Sequence, residues 1–213
     1  MSETKDKGSY ELVSYLLKEN SEFKQMIIEM SKNSGNNNIN TTNTTTNSHN
    51  KAFNLNFYLN ETCKNAMNIR EFIDQLQINN KDLEETGRLG FAEGISRIFI
   101  NGLNNLNVND RPIHCSDGKR ETIYIKDNNV WNKETTDKNI LTNAVKCLGQ
   151  KNIKQIFEWT KLYPDCKSAS SKLNDKYLKI VSETMSGSTL EESMKNYEKI
   201  IRNIANATLI NKV

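Results

Sequence analysis

The side chains best suited to chemistry cluster in one short segment, RPIHCSDGKRETIYIKDNNVWN, residues 111–132. His114, Cys115 and Glu121 supply an imidazole, a thiol and a carboxylate, which are the groups of acid–base or thiol catalysis. No glycine-flanked nucleophile accompanies them, so no catalytic residue is assigned from the sequence. An enzyme of unspecified class with a site near these three residues remains one hypothesis.

A second interpretation of this segment is a nucleic-acid-binding hairpin. Asp117-Gly118 is typical of a two-residue turn, and such a turn pairs Ile113 with Thr122. Alternation along both strands then places cations and an aromatic ring on one face, an arrangement that can contact phosphates and stack a base. That face carries Arg111, Arg120, Tyr124 and Lys126. A solvated hairpin tip explains the same residues without a function, and both interpretations stay open.

The cysteines and histidines do not have the spacing of a metal site. Structural zinc sites present paired ligands two to four residues apart, whereas the four cysteines contain no CxxC pair: Cys63, Cys115, Cys147 and Cys166. The adjacent His114 and Cys115 would point to opposite faces of a strand. We therefore predict no metal and no cofactor, and we interpret the cysteines as free thiols that pack as small hydrophobes.

Three glycines in TGRLGFAEG resemble a phosphate-binding loop only superficially. Gly87, Gly90 and Gly94 lack a following GK[ST] and lie at i, i+3 and i+7, on one face of a helix. Glycine weakens a helix interior, so three on one face favour close packing against another element. The segment 81–106 is therefore predicted as one long core helix, with an irregular loop or phosphate binding as alternatives.

The elements around these residues predict an α+β fold in which helices dominate. Alternating apolar residues predict a strand over 53–59, and Asn68 with Glu71 forms a capping-box pattern at a helix start. Residues 111–132 predict a small antiparallel meander with turns at Asp117-Gly118 and residues 127–129. Helical periodicity then continues to the end, and Thr189 with Glu192, or Ser188 with Glu191, is placed to cap the last helix. The folded α+β domain is predicted to span 52–213.

The N-terminal part of the chain has a different pattern. Residues 1–33 are predicted to form an amphipathic helix. Its apolar positions alternate spacings of four and three once Glu19 is counted among them, which is the seam of a short coiled coil. The seam consists of Leu12, Leu16, Phe23, Met26 and Met30. It predicts a homo-oligomer, with packing on the folded domain as the alternative. Residues 34–51 are Asn/Thr-rich and predict a tether, or strands stacked between associated chains.

Charge and hydropathy limit the classes of function. The chain carries 29 basic and 26 acidic side chains in 213 residues, so overall charge does not predict nucleic-acid binding. No segment approaches the apolar length of a membrane span, and the N-terminus lacks the apolar core of a signal peptide. We expect an intracellular protein with no membrane association.

Four stretches carry a family resemblance: HNKAFNLNFYLNETCKNAMNI, GRLGFAEGISRIFINGL, RPIHCSDGKRETIYIKDNNVW and SSKLNDKYLKIVSETMSGS. They resemble a group of uncharacterised proteins from giant DNA viruses of protists, over roughly residues 10 to 213. In that group the domain follows a helical segment and an Asn/Thr-rich spacer, often with an N-terminal Cys/His zinc finger. No such finger precedes Ser9 here. The resemblance implies a viral protein of the host cytoplasm or virion and offers no catalytic residues.

The preferred hypothesis is a non-enzymatic interaction or assembly module. The N-terminal helix would associate copies, and the C-terminal domain would bind a viral protein, a host protein or a nucleic acid. Linked copies gain avidity because association raises the effective concentration of each binding site.

Overall fold

The computed structural model describes residues 53–211, so the predicted N-terminal helix with its seam residues and the predicted Asn/Thr-rich linker lie outside the described part of the chain. The described residues form a mostly helical α+β fold with one small antiparallel sheet, which confirms the predicted fold class. The helices are α1 (Leu55–Phe57), α2 (Ile69–Gln75), α3 (Asn80–Leu89), α4 (Phe91–Asn104), α5 (Asn139–Leu162), α6 (Asn174–Glu183) and α7 (Leu190–Ala207). The strands are β1 (Ile113–Asp117), β2 (Thr122–Asp127) and β3 (Val130–Lys133).

Local capping explains where several helices begin. The predicted capping box at Asn68 and Glu71 is present, and the Asn68 N–H donates to the Glu71 carboxylate at 3.1 Å. Thr189 caps α7, since its hydroxyl oxygen accepts the Glu192 N–H at 3.1 Å. These caps satisfy backbone donors that have no partner within the first helical turn.

The predicted long helix over 81–106 is wrong, because the chain breaks at Gly90. Gly90 has φ of +88°, in the left-handed region that favours glycine, and it separates α3 from α4. The other two glycines lie at close approaches. A Cβ at Gly87 would lie 2.8 Å from Ile180 Cγ1 of α6, and one at Gly94 would lie 2.7 Å from Thr86 Cα of α3.

The sheet has the order β1-β2-β3, but the register of its first hairpin differs from the prediction. Ile113 pairs with Ile125 rather than with Thr122, and a bulge separates Cys115 from Asp117. The shift is three residues, an odd number, so every side chain of β2 changes face. The physical reason is burial: this register places two more isoleucines, Ile123 and Ile125, in the core beside Ile113 and Cys115.

The predicted strand over 53–59 is also wrong. The Asn54 side chain accepts the Phe57 N–H at 3.1 Å, and the Asn54 carbonyl accepts the Tyr58 N–H at 2.9 Å. These bonds start α1, which continues as a π-helical turn over Tyr58–Thr62. Leu59 is buried but Phe57 is exposed, so the alternating apolar residues do not share a buried face.

The described residues form two hydrophobic cores. The main core packs α2, α4, α5 and α7 against the inner face of the sheet. A smaller core joins Leu83, Trp159, Cys166 and Ile180, and α5 contributes to both cores. Within residues 53–211, no helix combines the length and apolarity that crossing a bilayer requires.

Candidate functional site

The predicted basic face of the hairpin does not assemble. The Arg111 guanidinium donates to the Leu103 carbonyl at 3.0 Å, which satisfies the C-terminal end of α4. Lys126 is buried and donates to the Lys64 carbonyl at 2.5 Å. Arg120 projects from the exposed loop before β2, so two of the three predicted cations are occupied by backbone carbonyls. The fourth predicted residue, Tyr124, lies opposite His114 in the sheet.

The three residues suggested for catalysis are not brought together either. Cys115 lies on the inner face of the sheet within the main core, whereas His114 lies on the outer face, because neighbouring side chains of a strand alternate. Glu121 belongs to the loop between β1 and β2, where it forms ion pairs with Lys138 and Arg202. The side chains of His114, Cys115 and Glu121 therefore do not form one site.

His114 instead contacts a cysteine that the sequence did not single out with it. The Cys63 thiol lies 3.5 Å from His114 Nε2, and both residues are buried. Burial, with a smaller effect of Arg111, lowers the pKa of His114 to about 4, while burial raises the pKa of Cys63. Both groups are consequently neutral near pH 7, unlike the thiolate and imidazolium of a catalytic pair.

A groove lies between α5 and α7, and we call it the α5–α7 groove. Its volume is about 610 Å³, within the range of small-molecule binding sites. One wall comes from the start of α5 and the segment before it, and the other from one face of α7. The groove is lined by Glu121, Thr136, Asp137, Lys138, Thr142, Lys146, Leu190, Ser193, Met194, Tyr197, Glu198, Ile201 and Arg202.

An ion triad closes one part of this groove. Glu121 Oε2 accepts from Lys138 Nζ, and Glu121 Oε1 accepts from Arg202 Nε at 3.3 Å. Burial alone would raise the pKa of Glu121, but the two cations outweigh burial and hold this pKa below its usual value. Both carboxylate oxygens are therefore engaged and ionised, which suits a structural anchor rather than a general acid.

Two members of the triad have strained backbone conformations. Glu121 has φ of 47° and Lys138 has φ of 48°, both in the left-handed region that costs non-glycine residues free energy. The pairing joins the loop before β2 to the N-terminus of α5 and to α7. This strain is localised at the border of the α5–α7 groove.

The apolar part of the groove comes from a single stripe along α7. Leu190, Met194, Tyr197 and Ile201 follow one another at spacings of four, three and four, one face of the helix. Ile201 is buried and Tyr197 packs edge-on against Phe91, whereas Leu190 is 79% exposed and Met194 is 55% exposed. The stripe thus leaves the core and continues along the groove without a covering element among the described residues.

The sequence carried part of this signal. Helical periodicity in the last helix identifies Met194, Tyr197 and Ile201 as apolar neighbours, but it does not show which of them the core covers. Lys138 and Arg202 carry no motif, and their convergence on Glu121 depends on the tertiary fold. Among residues 53–211, no group of three or more His, Cys, Asp or Glu side chains is arranged to hold a metal ion.

Comparisons of the chain with protein-family models, with curated proteins and with solved structures each gave no match.

Proposed function

We propose that the chain is a non-enzymatic interaction module whose α5–α7 groove binds an amphipathic helix of a partner protein. The observation that carries this proposal is the uncovered half of the α7 stripe. Tyr197 and Ile201 pack into the domain, while Leu190 and Met194 extend the same apolar face into the groove and remain exposed. A third helix laid along the groove would cover both side chains, as in other helix-in-groove complexes.

The dimensions of the stripe match a short helix. Leu190 and Ile201 are eleven positions apart, which at the helical rise corresponds to roughly 16 Å, or three turns of a partner helix. Covering the exposed parts of Leu190 and Met194 would contribute about 1–2 kcal/mol each. The unbranched, flexible Met194 can adapt to the shape of the partner's apolar side chains.

The rim of the groove favours a protein partner over a nucleic acid. Lys146 has its ammonium 5.7 Å from the centre of the Tyr197 ring and forms no ion pair with a described residue. Asp137 and Glu198 also line the groove, so the rim presents both signs of charge. A polyphosphate backbone would meet repulsion from these carboxylates, whereas an amphipathic helix can carry charges of both signs beside its apolar face.

Association of copies through the N-terminal seam is a separate part of the proposal. Copies held together by Leu12, Leu16, Phe23, Met26 and Met30 would present several α5–α7 grooves to one partner. Tethered sites raise effective concentration without new contacts, so weak individual grooves would bind a multivalent partner tightly. The group resemblance is consistent with such a role in a viral assembly.

The test uses the full chain and a displayed library of short amphipathic helices. We expect enriched peptides to shift the methyl NMR signal of Met194 and to lose at least about tenfold in affinity on the Leu190→Glu, Met194→Glu variant, corresponding to about 1.4 kcal/mol. The matched control is Leu178→Glu with Leu162→Glu, which places the same two charges at exposed apolar positions outside the groove. An unenriched library, or peptides that bind both double variants equally, would overturn the proposal.

A further inference from the structure

A second cavity, which lies between α2 and α5 and is separate from the α5–α7 groove, has the character of a small-molecule site. Its volume is about 370 Å³, at the lower end of the range for ligand pockets. It is lined by four apolar residues, two acidic residues, one arginine, two asparagines and one cysteine. These are Ile69, Ile73, Ile140, Ala144, Asp74, Asp127, Arg70, Asn139, Asn143 and Cys147.

The α2 wall of this cavity is fixed at its N-terminal end. The backbone N–H of Asn129 donates to the Asn68 side-chain oxygen at 2.7 Å, and the Asn68 side-chain amide donates to Asn129 Oδ1 at 3.0 Å. Asn129 sits in the β2–β3 turn with φ of 63°, a conformation that asparagine tolerates better than most residues. The start of α2 is thereby tied to the sheet.

The C-terminal end of α2 is fixed by α5. The Lys151 ammonium donates to three carbonyls, those of Ile73, Asp74 and Leu76, at distances of 2.9, 2.9 and 2.7 Å. A cation at this position also interacts favourably with the negative end of the helix dipole. Because both ends of α2 are held, the space between α2 and the first turns of α5 is preformed rather than opened by a ligand.

The polar groups around the cavity indicate the charge of its ligand. Asp74 and Asp127 supply two carboxylates against the single guanidinium of Arg70, and neither carboxylate forms an ion pair with a described residue. The side chains of Ile69, Ile73, Ile140 and Ala144 supply an apolar surface for the body of a ligand. Asn139 and Asn143 add amide groups that can accept or donate hydrogen bonds.

We propose that this cavity binds a small organic cation, a compact apolar body that carries a protonated amine. The apolar body would cover Ile73 and Ala144, and the ammonium group would pair with Asp74 or Asp127. An anionic ligand is disfavoured because it would bring a third negative charge beside the two carboxylates.

Cys147 provides a direct readout of occupancy. It is exposed at the cavity, whereas Cys63, Cys115 and Cys166 are buried, so a disulfide reagent should modify the native full chain rapidly at one thiol. A ligand in the cavity would cover that thiol and slow its modification. If Cys147→Ser lacks the rapid phase of modification, that phase is assigned to the Cys147 thiol.

The experiment compares three probes of similar shape on the full chain: phenethylamine, 2-phenylethanol and 3-phenylpropanoate. We expect the amine to protect Cys147 at concentrations about tenfold lower than the alcohol requires, and the carboxylate to protect least. The Asp74→Asn, Asp127→Asn variant should remove the preference for the amine while the neutral alcohol still binds. Asp175→Asn, an exposed carboxylate outside the cavity, is the matched control.

The outcomes separate binding in the cavity from other effects. Equal protection by the three probes, absence of protection by the amine, or an unchanged amine preference in the Asp74→Asn, Asp127→Asn variant would overturn the proposal. Ala144→Leu adds volume at the apolar wall and should abolish protection by amine and alcohol alike. If Ala144→Leu leaves amine binding unchanged, the ligand does not bind in this cavity, and the proposal is overturned.

Discussion

The Cys63 thiol lies 3.5 Å from His114 Nε2, a buried contact that joins the segment before α2 to the first strand. Aromatic rings complete the enclosure: the His114 ring centre is 5.2 Å from that of Tyr58 and 5.4 Å from that of Trp131. The segment over 53–66 is thereby held on the outer face of the sheet by a neutral, desolvated histidine. This contact makes stability depend on pH.

We expect the free energy of unfolding to decrease as pH falls from about 6.5 to 4. His114 has a pKa of about 4 in the folded chain, below the ordinary histidine value of about 6.5, so in this window the unfolded chain binds a proton that the folded chain excludes. The stabilisation is complete above the unfolded-state pKa and is lost as pH falls, by up to about 3 kcal/mol. Urea unfolding at a series of pH values measures it.

The chain offers a matched control for this prediction, because it contains only two histidines. His114→Phe should flatten the pH dependence between 6.5 and 5, where few carboxyl groups titrate, whereas His49→Gln should leave it unchanged. An identical pH dependence in His114→Phe and the unaltered chain would contradict the burial of a neutral imidazole.

Gly94→Ala should destabilise the chain despite the higher helix propensity of alanine. The added Cβ would lie 2.5 Å from Thr86 Oγ1 and 2.7 Å from Thr86 Cα, so α3 and α4 would have to separate. Overpacking of this kind costs about 2 kcal/mol. Urea unfolding of Gly94→Ala and Gly149→Ala provides the comparison.

At Gly149 the nearest atom, Phe91 Cε2, lies 3.3 Å from the added Cβ, and it belongs to a side chain rather than to backbone. The same substitution there should change the unfolding free energy by less than about 1 kcal/mol. Equal effects at the two glycines would mean that α3 and α4 are less tightly packed than described.

Lys126→Ala should lower the free energy of unfolding, whereas Arg120→Ala should leave it nearly unchanged. Removing the Lys126 ammonium leaves the Lys64 carbonyl without this donor and costs about 2 kcal/mol. The exposed Arg120 should contribute within about 0.5 kcal/mol. Thermal unfolding of both variants measures the difference.

The nucleic-acid hypothesis is tested with the same variants. Fluorescence anisotropy with a labelled single-stranded oligonucleotide, at two salt concentrations, would detect binding by cations of the hairpin. Salt-sensitive binding that Arg120→Ala weakens, without any loss of stability, would support the hairpin as a nucleic-acid site against the expectation from its geometry.

Lys151→Met should destabilise the chain while keeping the length and apolar stem of the side chain. It removes donors from the carbonyls of Ile73, Asp74 and Leu76, and bonds to a charged donor contribute about 1.5–3 kcal/mol. Hydrogen exchange should accelerate in α2 more than in α7. Lys154→Met, an exposed lysine on the same helix, is the control. Equal exchange in both variants would argue against the clamp.

The N-terminal seam predicts an oligomer that charge at the seam disrupts. Leu16→Asp with Phe23→Asp should convert the full chain to a monomer, because two apolar seam positions become charged. Ser14→Asp with Ser21→Asp adds the same charges off the seam and should preserve the oligomer. Light scattering with in-line chromatography measures the mass, and a monomeric unaltered chain at high micromolar concentration would refute the seam.

Local sequence patterns predicted the elements whose causes lie within about one helical turn. The Asn68–Glu71 capping box, the start of α7 at Thr189 and the helical character after residue 136 depend on bonds and periodicity between near neighbours. The β character of 111–132 likewise follows from composition and turn residues. These features required no knowledge of what packs against them.

The predictions that were wrong, and the features that no pattern indicated, depend on residues distant in sequence. The β1–β2 register was decided by burial of Ile123 and Ile125, which moved Lys126 to the outer face and to the Lys64 carbonyl. The break at Gly90 allows Gly94 of α4 to lie against Thr86 of α3, eight residues earlier in the chain.

Sequence by itself determined the helix-rich α+β fold, because composition and periodicity set which segments can bury a face. The polar spacer and the apolar N-terminal seam stay predictions from the same kind of pattern. Tertiary structure alone decided that His114 meets Cys63, that Glu121 holds Lys138 and Arg202, and that no other part of residues 53–211 covers Leu190 and Met194. Each of these features depends on burial and pairing between elements that are far apart in the chain. Local sequence patterns do not show which distant elements pack together.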